Sequence, residues 1–160
     1  SLQPPRPVAP VVQALEPFRL ANPYGLFAAM TTIRPEIVVE GSHDGTEWRA
    51  YEFKWKPGNP DRAPGFVAPH QPRLDWQMWF AALGPPGQSP WFGSFMVRLL
   101  QGSPEVLALL EENPFPEAPP RYVRATLYQY AFTRRGDGAA GKDWWVREEL
   151  GPYFPRMALR

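Results

Sequence analysis

The sequence predicts an α+β protein, mainly β with an α insert: an antiparallel β-sheet or β-sandwich with about three short helices packed on one flank. Three observations lead there. A β-hairpin is written into residues 36–55, helical periodicity occupies 74–112, and alternation of period two returns at Arg121 and runs to Thr133. Strict alternation of strand and helix is missing, which argues against a doubly wound parallel sheet.

In chain order, residues 1–15 carry Pro4, Pro5, Pro7 and Pro10 and read as an extended linker or tail, which leaves 16–160 as one domain. Phe18 and Leu20 alternate in a strand-like way before Asn22-Pro23. Glu36-Ile37-Val38-Val39-Glu40 is a β-branched strand, and Trp48 to Trp55 is a second, with Tyr51, Phe53 and Trp55 on one face. Between them, Asp44-Gly45 supplies the positive φ that a tight hairpin turn requires. Lys56 to Arg73 is broken by five prolines and reads as a long loop, a length that is usually functional.

The helices follow. Trp76, Trp79, Phe80 and Leu83 fall at i, i+3, i+4 and i+7 and predict one apolar face, packed on the sheet. Ser89-Pro90 opens a second helix, with Phe92, Phe95, Met96 and Leu99 on one side and Gly102 to end it. Ser103-Pro104-Glu105 opens a third, stopped at Asn113-Pro114. After the strand 121–133 come a Gly-rich turn, Trp144-Trp145, and a stretch from Glu148 to Phe154 with helical character.

Composition excludes several function classes. Hydrophobic residues make up 44% of the 160, enough to form a core that buries about two thirds of the unfolded surface. Seventeen basic residues against 16 acidic give +1, without the basic stripe that nucleic-acid binding needs. The absence of cysteine removes disulfides, thiol catalysis and cysteine zinc sites. No run approaches the ~18 apolar residues of a membrane span, and Ser1 to Pro10 lacks the basic-then-apolar pattern of a signal peptide.

Candidate chemical motifs fail on their context. Gly136-Asp137-Gly138-Ala139-Ala140-Gly141 fits G-x-G-x-x-G but has no βαβ unit around it. Ser42-His43-Asp44 holds the residue types of a hydrolase triad, but three consecutive residues on a hairpin cannot converge. Gly87-Gln88-Ser89-Pro90-Trp91 misses the last glycine of a nucleophile elbow. The two histidines, His43 and His70, have no metal-ligand spacing, and nothing in the spacing of Asp44, Asp61, Asp137 and Asp143 supports calcium. No catalytic residue, metal or cofactor is therefore expected. The segment densest in polar and aromatic groups is Pro69 to Trp79. Its His70, Gln71, Arg73, Asp75 and Trp76 are the candidate binding residues. Against that stands a structural role, with Asp75 favouring the helix dipole and the Trp residues packing in the core.

Several blocks resemble one family. Asn22-Pro23-Tyr24-Gly25-Leu26-Phe27, Arg34-Pro35-Glu36-Ile37-Val38-Val39-Glu40-Gly41-Ser42-His43-Asp44-Gly45, Tyr51-Glu52-Phe53-Lys54, the long run Phe66 to Leu83, Glu112-Asn113-Pro114-Phe115 and Pro119 to Ala125 are similar, in order, to those of lipase maturation factors. The resemblance implies the C-terminal region of a multi-pass membrane protein. That region would lie on the extracytoplasmic or lumenal side and assist folding and assembly of a secreted lipase. It implies no catalytic residues. The Ala-, Arg- and Pro-rich composition points to a bacterial member. A shorter resemblance, Glu40-Gly41-Ser42-His43-Asp44-Gly45-Thr46-Glu47-Trp48, is to the hairpin of discoidin-type sandwiches, and implies a jelly-roll, galactose-binding-like fold.

Three functions compete on this reading. The first is recognition of a protein client, such as a secreted lipase, or of the membrane-spanning part of the parent; it expects an exposed aromatic patch. The second is a carbohydrate- or lipid-headgroup-binding module, which expects a pocket with exposed Trp. The third is an enzyme, which requires His70, Arg73 and Asp75 to converge.

Overall fold

Arg34–Ser42 forms strand β1, whose β-branched residues suit a pleated, buried position. It pairs antiparallel with β2 (Arg49–Ala50) on one side and with β5 (Tyr122–Phe132) on the other, and β5 pairs with β6 (Trp145–Met157). The four-stranded order is β2-β1-β5-β6. The structure, a computed structural model, describes residues 33–67, 72–133 and 144–159. The Pro-rich 1–15, the strand-like pieces of 16–32 and the Gly-rich turn at Gly136 lie outside them.

Register fixes which face is core. Ile37, Val39 and Gly41 stand opposite Leu127, Ala125 and Val123, so these side chains share one face. Ile37, Val39, Val123 and Ala125 on that face are buried.

The turn from β1 to β2 is built by Asp44. Its Oδ1 accepts from the amides of Thr46 at 2.8 Å and Glu47 at 2.9 Å and from the Ser42 hydroxyl at 2.9 Å, while Oδ2 accepts from the Thr46 hydroxyl. Gly45 takes φ +82°, and its amide donates to Ser42 Oγ at 2.8 Å. The loop is wider than the tight turn expected from sequence, because Asp44 replaces backbone pairing with side-chain acceptors. These bonds, the Thr46 hydroxyl first, hold the Asp44 carboxyl well below the usual aspartate range. A depressed pKa makes the turn's contribution fully present above about pH 4 and lost only as pH falls below it. An NMR titration is expected to place the Asp44 midpoint lower than in Thr46→Val.

Past β2 the chain changes sheets. The Tyr51 amide still donates to the Val39 carbonyl at 2.9 Å, but β3 (Glu52–Phe53) pairs with β4 (Leu110–Glu112) in a separate two-stranded sheet. The strand expected over 48–55 is thus two short pieces. The cause is Phe53, which pairs with Leu110 and packs on Phe95 at 6.2 Å between ring centroids.

Three helices follow: α1 (Arg73–Ala82), α2 (Pro90–Leu100) and α3 (Pro104–Leu107). Proline at the first helical position starts α2 and α3. Gly102, at φ +63°, ends α2: its amide reaches the Leu99 carbonyl at 3.1 Å and the Ser103 amide reaches Arg98 at 3.0 Å, a Schellman motif. The third helix, expected to run towards Asn113, stops after one turn, because Leu110 is drawn into pairing with Phe53 and buried. The helical character expected from Glu148 to Phe154 is also corrected. That stretch is strand β6, paired with β5 through bulges near Leu150 and Gly151.

The helices lie against the Ile37/Val39 face, where Met78, Ala81, Phe92, Met96 and Leu99 complete the core. The fold is mixed α+β, with two antiparallel sheets, three α-helices and a 3-10 turn at Pro86–Gln88 among the described residues. A sandwich needs a second broad sheet on that face. There, among the described residues, stand the helices and the short β3–β4 pair.

Candidate functional site: an aromatic groove on α1

The 3.6-residue repeat gives α1 two apolar stripes, and the sequence reading put the wrong one inside. Leu74, Asp75, Met78, Ala81 and Ala82 are buried, whereas Trp76 is 42% exposed, Phe80 43% and Leu83 49%. The aromatic stripe expected to pack on the sheet faces outward. Trp76 and Phe80, one turn apart, stack at 5.7 Å, and Trp79 meets Phe80 edge-on at 5.0 Å.

Beside this stripe lies an open groove of about 580 Å³. Arg73, Trp76, Gln77 and Phe80 of α1 form one wall, and Gln88, Ser89 and Trp91 form the other. Trp91 is held from behind, its ring 5.5 Å from buried Phe92 and 6.1 Å from Phe95. Gly84 joins the walls, and a side chain there would run into the Gln88 amide. Past Gly84 a second depression of about 390 Å³ continues between Leu83, Pro85 and Pro86 and the strand residues Leu127, Leu150 and Pro152. Tyr153 fixes this end by donating its hydroxyl to the Ala81 carbonyl at 2.9 Å. Burial pushes the Tyr153 hydroxyl's pKa up, so it remains a donor.

Of the expected binding residues, Arg73 and Trp76 come together in the groove. Asp75 goes the other way. It is 1% exposed, and its Oδ1 accepts from the Trp55 and Lys56 amides at 2.9 Å each, tying the long loop to α1. Arg73 and Asp75 therefore occupy different sides of α1 and form no shared centre. His70 and Gln71 lie outside the described residues. Asp44 and Gly45 sit in the β1–β2 turn, where His43 turns aside to meet the Phe115 ring edge-on at 5.1 Å. Sequence reasoning missed Gln77, Phe80, Gln88 and Trp91 as lining groups. Only the i, i+4 spacing of Trp76 and Phe80 announced part of the wall.

No group of three or more His, Cys, Asp or Glu that could hold a metal occurs among the described residues, and no helix among them is long and apolar enough to cross a membrane. The groove offers amide and hydroxyl hydrogen bonding, one guanidinium and aromatic faces. These are groups suited to binding, and the lining contains no base–nucleophile pair.

Residues 20–155 match the family model described as the lipase maturation factor C-terminal domain. The chain is 51% identical over 152 residues to lipase maturation factor 2 of Rattus norvegicus and, to the same extent, to that of Homo sapiens; each alignment covers 91% of this chain and 21% of the relative. It is 42% identical over 155 residues to lipase maturation factor 1 of Mus musculus, covering 91% of the chain and 27% of the relative. The chain thus spans between about a fifth and a quarter of these relatives' length. No solved structure matches it.

Proposed function

The chain belongs to the lipase maturation factor family as its C-terminal domain, and on that premise we propose that it is a non-catalytic recognition domain of a membrane-bound maturation factor, holding a secreted client such as a lipase during folding and assembly. The observation that carries this reading is the outward aromatic stripe of α1. A helix that leaves Trp76 and Phe80 more than 40% exposed, beside a groove walled by Trp91, has more apolar surface than its core uses. Such aromatic clusters are where binding energy concentrates. His70 and Gln71, just before Arg73, are assigned to the same binding set, with 16–160 as the domain and 1–15 as its tail. The extracytoplasmic or lumenal side of the membrane, and a bacterial source inferred from composition, belong to this proposal too; the relatives compared are vertebrate.

The test is the membrane-bound parent carrying Trp76→Ala and Phe80→Ala, co-expressed with a secreted lipase from the same organism. Lipase activity per unit of secreted lipase is expected to fall at least tenfold, as removal of about 2 kcal/mol of hot-spot energy implies. The parent's abundance should hold, because half-exposed side chains contribute little to folding. Unchanged lipase activity would refute client recognition at this groove.

A second reading is carried by Gln77 and Gln88 beside Trp76 and Trp91: stacking faces with amides next to them suit a carbohydrate or lipid headgroup, as in a jelly-roll, galactose-binding-like sandwich. Binding of a neutral glycan by the chain, lost in Trp76→Ala, would favour it.

A further inference from the structure

We infer that the groove selects a polypeptide segment in which a bulky apolar side chain stands next to a carboxylate, with Arg73 as the residue that reads the acid. This rests on the groove being the client-binding site and adds the chemistry of what enters it.

Arg34 pairs with Glu36, Arg124 with Glu40, Arg62 donates to the Phe53 and Lys54 carbonyls, and Arg147 donates to the Tyr130 hydroxyl. Among the described residues, the Arg73 side chain has no hydrogen bond, ion pair or ring contact. Arg49 is also without a partner there, but of the two only Arg73 lines the aromatic groove. The other polar groups of the walls, Gln77, Gln88 and Ser89, are neutral, and no acid lines the groove. Asp75, two residues from Arg73, is turned inward and already accepts two amides.

In the free protein Arg73 is exposed and open to hydration. An apolar segment seated between Trp76, Phe80 and Trp91 removes part of that water. A neutral or basic neighbour then leaves the guanidinium dehydrated and unpaired, the arrangement that costs most at an interface. A carboxylate replaces the lost water with two parallel charge-assisted hydrogen bonds. From Arg73 to the midpoint between Trp76 and Phe80 the helix advances about 7 Å. That distance is two residues of an extended partner, which puts the acid and the apolar anchor on one face. The groove's volume, about 580 Å³, takes one large side chain and its neighbours rather than a whole helix.

The experiment uses the chain of 160 residues and fluorescein-labelled decapeptides with one central Phe, flanked at two residues by Glu, Gln or Lys, and reads binding by fluorescence anisotropy. The Glu peptide is expected to bind at least tenfold tighter than the Gln and Lys peptides, with the advantage shrinking as salt rises. Arg73→Glu should reverse the order, so that the Lys peptide binds best, while thermal unfolding stays unchanged. Trp76→Ala should weaken all three. Equal binding of the three peptides, abolished by Trp76→Ala but indifferent to Arg73→Glu, overturns the acid preference and leaves the groove as the client site. No binding of any peptide at millimolar concentration overturns both. Dodecanoate that outcompetes the Glu peptide in an Arg73-dependent way overturns the polypeptide assignment in favour of an anionic amphiphile.

Discussion

Glu36→Gln is expected to lower the stability of the domain by about 3–5 kcal/mol, the cost of leaving a buried charge without its partner. Glu36 is fully buried; its Oε1 accepts from Arg34 Nε at 2.9 Å and its Oε2 lies 3.5 Å from Lys56 Nζ. Lys56 is itself only 3% exposed. Its ammonium donates to the Pro57 carbonyl at 2.7 Å and rests 5.0 Å from the Phe53 ring centroid. Neither group compensates it as a carboxylate does. A domain whose whole stability is about 5–15 kcal/mol would lose a large share of it. The measurement is the urea midpoint of the variant, and its control is Glu36→Gln combined with Lys56→Met. With both charges gone, no buried charge is left unpaired, so the double variant should regain most of the loss. A single variant with wild-type stability would show that Lys56 does not depend on Glu36.

The second large effect is expected of Phe92→Ala. Phe92 is completely buried, and its ring meets those of Tyr153 at 5.1 Å, Trp91 at 5.5 Å, Phe154 at 5.6 Å and Phe95 at 6.1 Å. It therefore joins α2 to β6 and backs the Trp91 wall of the groove. Truncation should cost about 3–5 kcal/mol through lost burial and the cavity left behind. At this chain length that lowers Tm by roughly 10 °C in a thermal melt. Leu159→Ala, at a residue 50% exposed, is the contrasting variant and should shift Tm little. Equal shifts for the two would place Phe92 outside the cooperative core.

Local signals in the sequence were legible, and partner-dependent ones were not. Asp44-Gly45 marked the β1–β2 turn, Ser89-Pro90 marked the start of α2, and Gly102 marked its end, because turn and cap chemistry acts within a few residues. The buried face of α1 is not legible in the sequence, for a physical reason. Leu74, Met78, Ala81 and Ala82 satisfy helical spacing as well as Trp76, Phe80 and Leu83 do. Periodicity cannot say which stripe meets the sheet when both are apolar. Strand β4 and the strand character of Glu148 to Phe154 arise from pairing with Phe53 and with β5, distant in sequence. The groove was half legible: Arg73 and Trp76 share a short segment, but Trp91 and Gln88 join them only through the turn after α1. Asp75 attracted notice as a polar residue in an aromatic run. Its actual work, holding two amides some 20 residues earlier in the chain, left no local trace.

The pairing of β1 with β5 sets the timetable of synthesis. Ile37 lies opposite Leu127, so about ninety residues must follow before the strand meets its partner. At a translation rate of about 5–20 residues per second, the Ile37–Val39 face leaves the ribosome and waits roughly 5–18 s for β5 to arrive. The helices meanwhile form from local contacts, but the sheet they pack on is incomplete. A nascent chain in that interval exposes an open strand edge and a bare apolar face, the features that invite aggregation. A domain proposed to steady other proteins during their folding thus passes through an interval in which it needs the same protection.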